Sequence, residues 1–308
     1  MQTTPSGGGG RSWGEARLRA ETAVASVVGT IEGLGLRVAP QKTESVFFHD
    51  DSRGAPPETR FLVDDVRIRV GPTIKYLGRT LDGRWDFGQH FRDLAPRVRN
   101  AALAVTSLQR NLGGPGWRAR RLYTMAVLSI ALYGAPIWAP QLSACRESQR
   151  RLRQALRPMM IRMTRSYSTV SYMAATTLIG FPPVELIAKE RGILYWRVKE
   201  APLGGGLRAR DVRTLKSQAV ARTHAMCADI LSDPRGYRPD TAEAARLCLP
   251  EWAGRRGCGL SFHLVQILTG HGCFGKYLHR IGKEPTTRCH HCPALMDTTL
   301  HTLAECTA

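Results

Sequence analysis

Three cysteines and a histidine close the chain with the spacing Cys289-x2-Cys292-x8-His301-x4-Cys306. Thiolate and imidazole are the ligands zinc prefers. A Cys-x2-Cys turn supplies two of them and a following segment the other two for a tetrahedral ion. On a frayed tail the same residues would be idle thiols, but a Cys-x2-Cys with a downstream His and Cys at usable spacing points to structural zinc. The His shortly before a Cys matches the second half of a nucleic-acid zinc knuckle, with a longer middle stretch than retroviral knuckles have. His290 and His291 are competing ligands, demoted because adjacent side chains rarely converge on an ion the Cys-x2-Cys already holds. His271 and Cys273 in TGHGC could approach the site and are set aside. Cys145, Cys227, Cys248, Cys258 and Cys273 are scattered and read as packing residues.

Two carboxylate pairs, Asp50-Asp51 and Asp64-Asp65, are the other candidates for metal chemistry. Two-metal phosphoryl transfer needs carboxylates that hold both ions at the attacking and leaving oxygens. The first pair lies in a loop rich in Gly and Pro and the second opens a strand, so both are expected at the surface. The formal charge is +19, with a sequence pI near 10.3. Such a field attracts polyanions, nucleic acid before anionic membrane, and arginine forks match phosphate geometry. Arg118, Arg120 and Arg121 open one helical stretch. Arg146, Arg150, Arg151, Arg153, Arg157, Arg162 and Arg165 crowd another, with Glu147 their only acid. Helical neighbours at i, i+3, i+4 and i+7 share a face, and a basic face of this kind can track a phosphate backbone without reading bases. A merely solvated face usually carries both signs.

The elements that must position these residues follow from periodicity. Residues 1–12 are Gly/Ser/Thr-rich and are expected to be disordered. Trp13–Gly35 is helical, with Ala23, Val24, Val27, Val28, Ile31 and Leu34 at helical spacing. LRVAPQKTESVFF reads as two short strands about a Pro-Gln turn. FLVDDVRIRV, a Gly-Pro turn and TIKYLGRTLD read as a hairpin or two paired strands. After Trp85 long helices are expected over Phe91–Leu112, Arg118–Trp138 and Ser143–Arg165, with a fourth following the Pro-Pro of GFPPVELIAKERGILYWRVKE. Further helices are expected near 211–232 and 240–248, and one in HLVQILTGHGCFGKYLHRIG that breaks at Gly270. Trp117, Tyr123, Tyr133 and Trp138 are expected in the core. No apolar run approaches the ~20 residues that span a bilayer. The N-terminus has no apolar signal region, so free or metal-bound cysteines are expected rather than disulfides.

GLRVAPQKTE, IKYLG and the terminal Cys/His run, taken together, resemble the C-terminal part of the reverse transcriptase of non-LTR (LINE-type) retrotransposons, of the endonuclease-bearing kind found in arthropods. RSWGEARLRAETAV and GLRVAPQKTE look like the palm helix and motif D. IKYLGRTLD looks like motif E, the primer grip. NLGGPG with RRLYTMAVLSIALYGAPIWAP looks like the thumb. SYMAATTLIGFPPVEL and LTGHGCFGKYLHRIGKEPTTRCHHC look like the region leading to the family's Cys-Cys-His-Cys knuckle.

The resemblance implies an α+β fold: a palm remnant of one helix and short antiparallel strands, then a mainly helical thumb and C-terminal region ending in a zinc knuckle. It divides the chain into 1–12, palm 13–90, thumb 91–175, connector 176–285 and knuckle 286–308. It places Lys42 at the motif D lysine, near the phosphates of an incoming nucleotide, and Tyr76, Leu77 and Gly78 in the primer grip. The zinc ligands are Cys289, Cys292, His301 and Cys306. The family's catalytic aspartates bind magnesium, one in motif A and a pair in a turn just before the first helix. Where that turn falls, this chain has MQTTPSGGGG. The expectation is therefore a truncated RNA-directed DNA polymerase, inactive alone, with magnesium needed only by the full-length enzyme. It would bind RNA, DNA primer–template and RNA–DNA hybrid, with no membrane role. An intracellular location is expected, nuclear by resemblance only. The competing readings are a host-adopted nucleic-acid-binding protein and a zinc-stabilised protein-interaction module.

Overall fold

A serine caps the first helix. Ser12 accepts the Glu15 N–H at 3.2 Å and opens α1, Trp13–Gly33. Gly35, at φ 76°, takes the left-handed conformation that lets the chain leave the helix. The computed structural model describes residues 12–108, 116–200, 208–232 and 260–308. Of the segment 1–12 expected to be disordered, residues 1–11 lie outside the described residues and Ser12 instead caps α1; the helix near 240–248, Cys248 and Cys258 also lie outside them. The fold is mixed α+β, and the chain divides into two compact units, residues 1–93 and 94–308.

In the first unit, α1 packs on a three-stranded sheet of order β1-β3-β2, with β1 Ser45–Val46, β2 Arg60–Val63 and β3 Val66–Gly71. β1 runs parallel to β3 and β2 antiparallel to it. Val28, Phe61 and Val63 form the core, with Val24, Val38, Ile68 and Val70 packed around them. A second hairpin joins β4 Thr73–Tyr76 to β5 Arg79–Asp82. The strand pairing expected from sequence is corrected here. FLVDDVRIRV does not pair as one strand with TIKYLGRTLD; each segment folds back on itself. Asp64 and Asp65 both have positive φ, 46° and 59°, as do Leu77 and Gly78, 46° and 77°. Two successive positive-φ residues make the tight turn whose twist suits a hairpin, and aspartate tolerates that region.

The second unit is helical: α2 Gly88–Ser107 crosses into it from the first, and α3 Trp117–Ala131, α4 Ala135–Ala144, α5 Arg146–Thr164, α6 Tyr172–Ile179, α7 Val184–Lys199, α8 Ala209–Leu231, α9 Phe262–Thr269 and α10 Gly275–Arg280 follow. The single helix expected over Arg118–Trp138 is two, bent by 86°. Gly134 sits at φ 73° and Pro136 opens α4, where its missing N–H does no harm. No single helix among the described residues is long and apolar enough to cross a membrane. Trp138, Leu142, Leu152, Leu156, Met159, Met160 and Met163 are fully buried, joining α4 and α5 to α6 and α7. Gly192 of α7 lies where a Cβ would touch the Ala139 Cβ at 3.4 Å, so these helices approach closely.

Candidate metal centre and nucleic-acid surface

The loop that follows α10 brings four ligand atoms together. The Sγ of Cys289, Cys292 and Cys306 and a ring nitrogen of His301 all lie within 4.8 Å of one another. Cys289 Sγ is 3.9 Å from Cys306 Sγ, and Cys292 Sγ is 3.3 Å from His301 Nε2. Tetrahedral zinc with bonds of about 2.0–2.3 Å has ligand–ligand edges of roughly 3.5–3.8 Å, so the donor set and its spacing suit that ion. Soft thiolates are the wrong donors for magnesium. A single wide helical turn, His301–Glu305, presents the histidine, which is 5% exposed. The Cys306 N–H closes on the His301 carbonyl at 2.7 Å.

The His291 amide, 3.4 Å from Cys289 Sγ, is the main reason the Cys289 thiol is brought down to about 6, with the His301 side chain assisting. At Cys306 the Ala308 amide favours the thiolate, but burial and the neighbouring Cys289 and Cys292 sulfurs outweigh it and raise the thiol. One thiolate is thus ready for a cation, and the others gain by its arrival. His290 points away, toward Glu284 at 3.7 Å. His271 is no ligand: it is buried, with Nδ1 2.6 Å from the Thr269 carbonyl and Nε2 3.3 Å from Arg280.

One residue at this site carries no signal in the sequence. Asp297, 6% exposed, accepts the Gly275 N–H through Oδ2 at 2.8 Å and the Thr302 hydroxyl through Oδ1 at 2.7 Å. Its backbone bonds Thr287 and Lys276. A Cβ on Gly275 would fall 2.7 Å from the Arg288 carbonyl, so glycine is required for this close approach. Asp297 therefore ties α10 to the metal loop, and the loop is not a frayed tail. The division drawn at residue 286 cuts through these bonds.

The arginines selected for a shared basic face are dispersed by the fold. Arg120 is 6% exposed and donates to the Leu260 carbonyl at 3.5 Å, so it belongs to the interior. Arg153 binds the buried Glu185, and Arg157 donates to the Ser168 carbonyl and, at 2.7 Å, to that of Val170. Arg150 and Arg151 share Glu147 at 2.8 and 2.9 Å, and the Arg150 hydrogen bond holds the Glu147 carboxyl below its ordinary value. Arg165 takes the left-handed cap of α5. Arg118, Arg121, Arg146 and Arg162 remain exposed, with Arg118 over the Trp117 ring at 5.6 Å. Trp138 is buried as expected, whereas Tyr133 is 58% exposed.

Lys42 ends a short 3-10 turn, Pro40–Lys42, and is exposed. Tyr76 ends β4, and Leu77 and Gly78 form the tip of the β4–β5 hairpin, with Leu77 58% exposed. The positive φ of Leu77 is costly for a side chain of this kind. Asp50 accepts from the Ser52 N–H and hydroxyl, while Asp51 meets His49 and Arg84, both at 2.9 Å. Asp64 and Asp65 are exposed at the tip of the other hairpin. Among the described residues the terminal Cys/His set is the one cluster of three or more candidate metal ligands. Burial first, then the Glu185 carboxylate, push the Cys227 thiol up to about 11, as suits a packing residue.

The chain is 29% identical over 246 residues, 76% of its length, to a 115 kDa protein in the type-1 retrotransposable element R1DM of Drosophila melanogaster. It spans about a quarter of that relative, 23%. It is 25% identical over 299 residues, 89% of this chain and 69% of the relative, to a retrovirus-related Pol polyprotein from an R1 element of Nasonia vitripennis. A Pol polyprotein from the R1 element of Bradysia coprophila is 27% identical over 269 residues, 83% of this chain and 26% of that protein. No protein-family model matches the sequence. No solved structure matches it.

Proposed function

We propose that this chain, a relative of R1-type non-LTR retrotransposon Pol proteins along most of its length, is the nucleic-acid-gripping portion of a reverse transcriptase and does not polymerise DNA by itself. The observation that carries this reading is the convergence of Cys289, Cys292, His301 and Cys306 within 4.8 Å at the end of a strongly basic helical unit. Zinc, when bound, supplies no reaction here. It fixes the loop so that nearby side chains, among them the exposed Leu300 and Leu303, are held for contact with RNA. Arg118 and Arg121 on α3 and Arg146 and Arg162 on α5 meet phosphates, while the Tyr76–Gly78 hairpin tip is placed against the primer.

Absence of polymerase activity rests on where the aspartates lie. Each pair sits in a turn or loop, and among the described residues neither belongs to a group of three or more candidate metal ligands. Binding of labelled RNA and RNA–DNA hybrid, followed by anisotropy with and without a zinc chelator, tests the reading. Binding that weakens on chelation supports it; absence of binding at low salt leaves a zinc-stabilised protein-interaction module. Primer extension with magnesium and nucleotides is expected to give no product, and templated extension would refute the inactive assignment.

A further inference from the structure

The arginines of α5 are largely engaged within the molecule, which raises the question of which cations are open to a ligand. α7 and α8 run antiparallel, since Leu186 near the start of α7 packs on Met226, Cys227, Ile230 and Leu231 near the end of α8. The last turn of α7 and the start of α8 therefore lie together. That end carries Arg197, Lys199, Arg208, Arg210, Arg213 and Lys216, all exposed. No ion pair involves any of the six among the described residues. Glu200 and Asp211 are the acids there, and Asp211 also accepts the Arg208 N–H at 3.2 Å. Arg197 and Lys199 suit the C-terminal turn of α7. Arg208, Arg210 and Arg213 open α8, where the helix dipole favours acids instead. Local helix energetics do not account for them.

We propose that this end of the α7–α8 hairpin is the principal phosphate-contacting surface of the chain, taking the backbone of single-stranded RNA. The proposal rests on the reading of the chain as a nucleic-acid binder and adds, to the few exposed arginines of α3 and α5, a second surface that makes most of the phosphate contacts. Six exposed cations on two packed helices, none ion-paired among the described residues although Arg213 Nε donates to the Ala209 carbonyl at 3.2 Å, release counterions on contact with a polyanion. Each phosphate neutralised on a single strand adds about 0.7 to the slope of log affinity against log salt.

The test is anisotropy of a labelled 20-mer single-stranded RNA over a salt series, with the full chain loaded with zinc. The variant Arg197→Gln/Lys199→Gln/Arg210→Gln/Arg213→Gln should lower the slope by about 3 and weaken binding more than tenfold at moderate salt. The version Arg197→Lys/Arg210→Lys/Arg213→Lys should keep the slope, because phosphates are met as point charges. Far-UV circular dichroism and the melting temperature show whether each variant is folded. If the fourfold variant melts early, Arg197→Gln and Arg213→Gln singly should each lower the slope by about 0.7. An unchanged slope in folded variants, with the parent chain binding well, overturns this surface and leaves the proposed function standing. Failure of the parent chain to bind overturns both.

Discussion

Residues 1–93 carry thirteen basic and twelve acidic side chains, whereas residues 94–308 carry thirty-one and thirteen, so +18 of the formal +19 belongs to the second unit. In the first unit opposite charges meet across short distances. Arg84 binds Asp51, Arg69 binds Glu58 and Arg19 binds Glu15. In the second, Glu147 serves two arginines, Glu185 is buried against a third, and the α7–α8 cations have no acid partner among the described residues. The basic character is thus not a uniform property of the surface. It is concentrated in the helical part, which also holds the candidate metal ligands, and long-range attraction of a polyanion is directed chiefly at that part.

The largest expected effect tests this contrast directly. Affinity for single-stranded RNA should fall roughly 300-fold between 50 and 200 mM salt if six phosphates are contacted. Arg60→Gln with Arg67→Gln, in the neutral first unit, should leave the slope unchanged. An equal loss of slope from that pair, measured by anisotropy, would break the comparison. Next in size is packing. Trp138→Ala removes a fully buried indole whose N–H meets the Tyr133 carbonyl at 3.1 Å, and should cost about 4 kcal/mol in urea unfolding. Because the sheet core of the first unit is separate, hydrogen exchange of β2 and β3 should change far less. Equal loss of protection in both units would show a single cooperative body.

Smaller effects concern the metal loop. Asp297→Ala leaves the Gly275 N–H without its acceptor and the Thr302 hydroxyl with only the Thr298 carbonyl, and should destabilise the region by about 2 kcal/mol, with zinc held more weakly in a competition titration. A change confined to the last few residues, leaving α10 protected, would mean that helix and loop are not coupled. The mildest effect is that of pH. The Cys289 thiol is depressed in the folded chain to about 6, so the stabilisation it provides is complete above the ordinary thiol range and is lost as pH falls through 6. Native mass spectrometry should find one zinc per chain at neutral pH, with release on acidification as protons compete for the thiolates. Absence of zinc at neutral pH would overturn the site.

Much of the candidate site was legible because its signals are local. The Cys-x2-Cys, His301 and Cys306 are close in sequence, so a short loop needs only a turn and one helical turn to collect them. The helices of the second unit show their apolar period, and the Gly270 break appears where expected, at φ 61°. The Asp64-Asp65 hairpin was misjudged because two consecutive aspartates do not advertise a turn as Asn-Gly does. Asp297 gave no warning, since one acid in a polar loop resembles any other until Gly275 is brought against it.

Residue type and spacing suffice to pick out the candidate metal ligands, the overall α+β class and the excess of positive charge, because each depends on neighbours a few positions away. Which cations stay available does not follow from spacing. Arg153 and Glu185 are 32 positions apart, and Arg120 and Leu260 are 140 apart, yet each pair is in contact. Helical periodicity puts arginines on one face of α5, but long-range packing turns part of that face inward, where burying a guanidinium requires a partner. The folded chain supplies those partners to α5 and to Arg120, whereas among the described residues the adjoining ends of α7 and α8 carry cations with no acid paired to them.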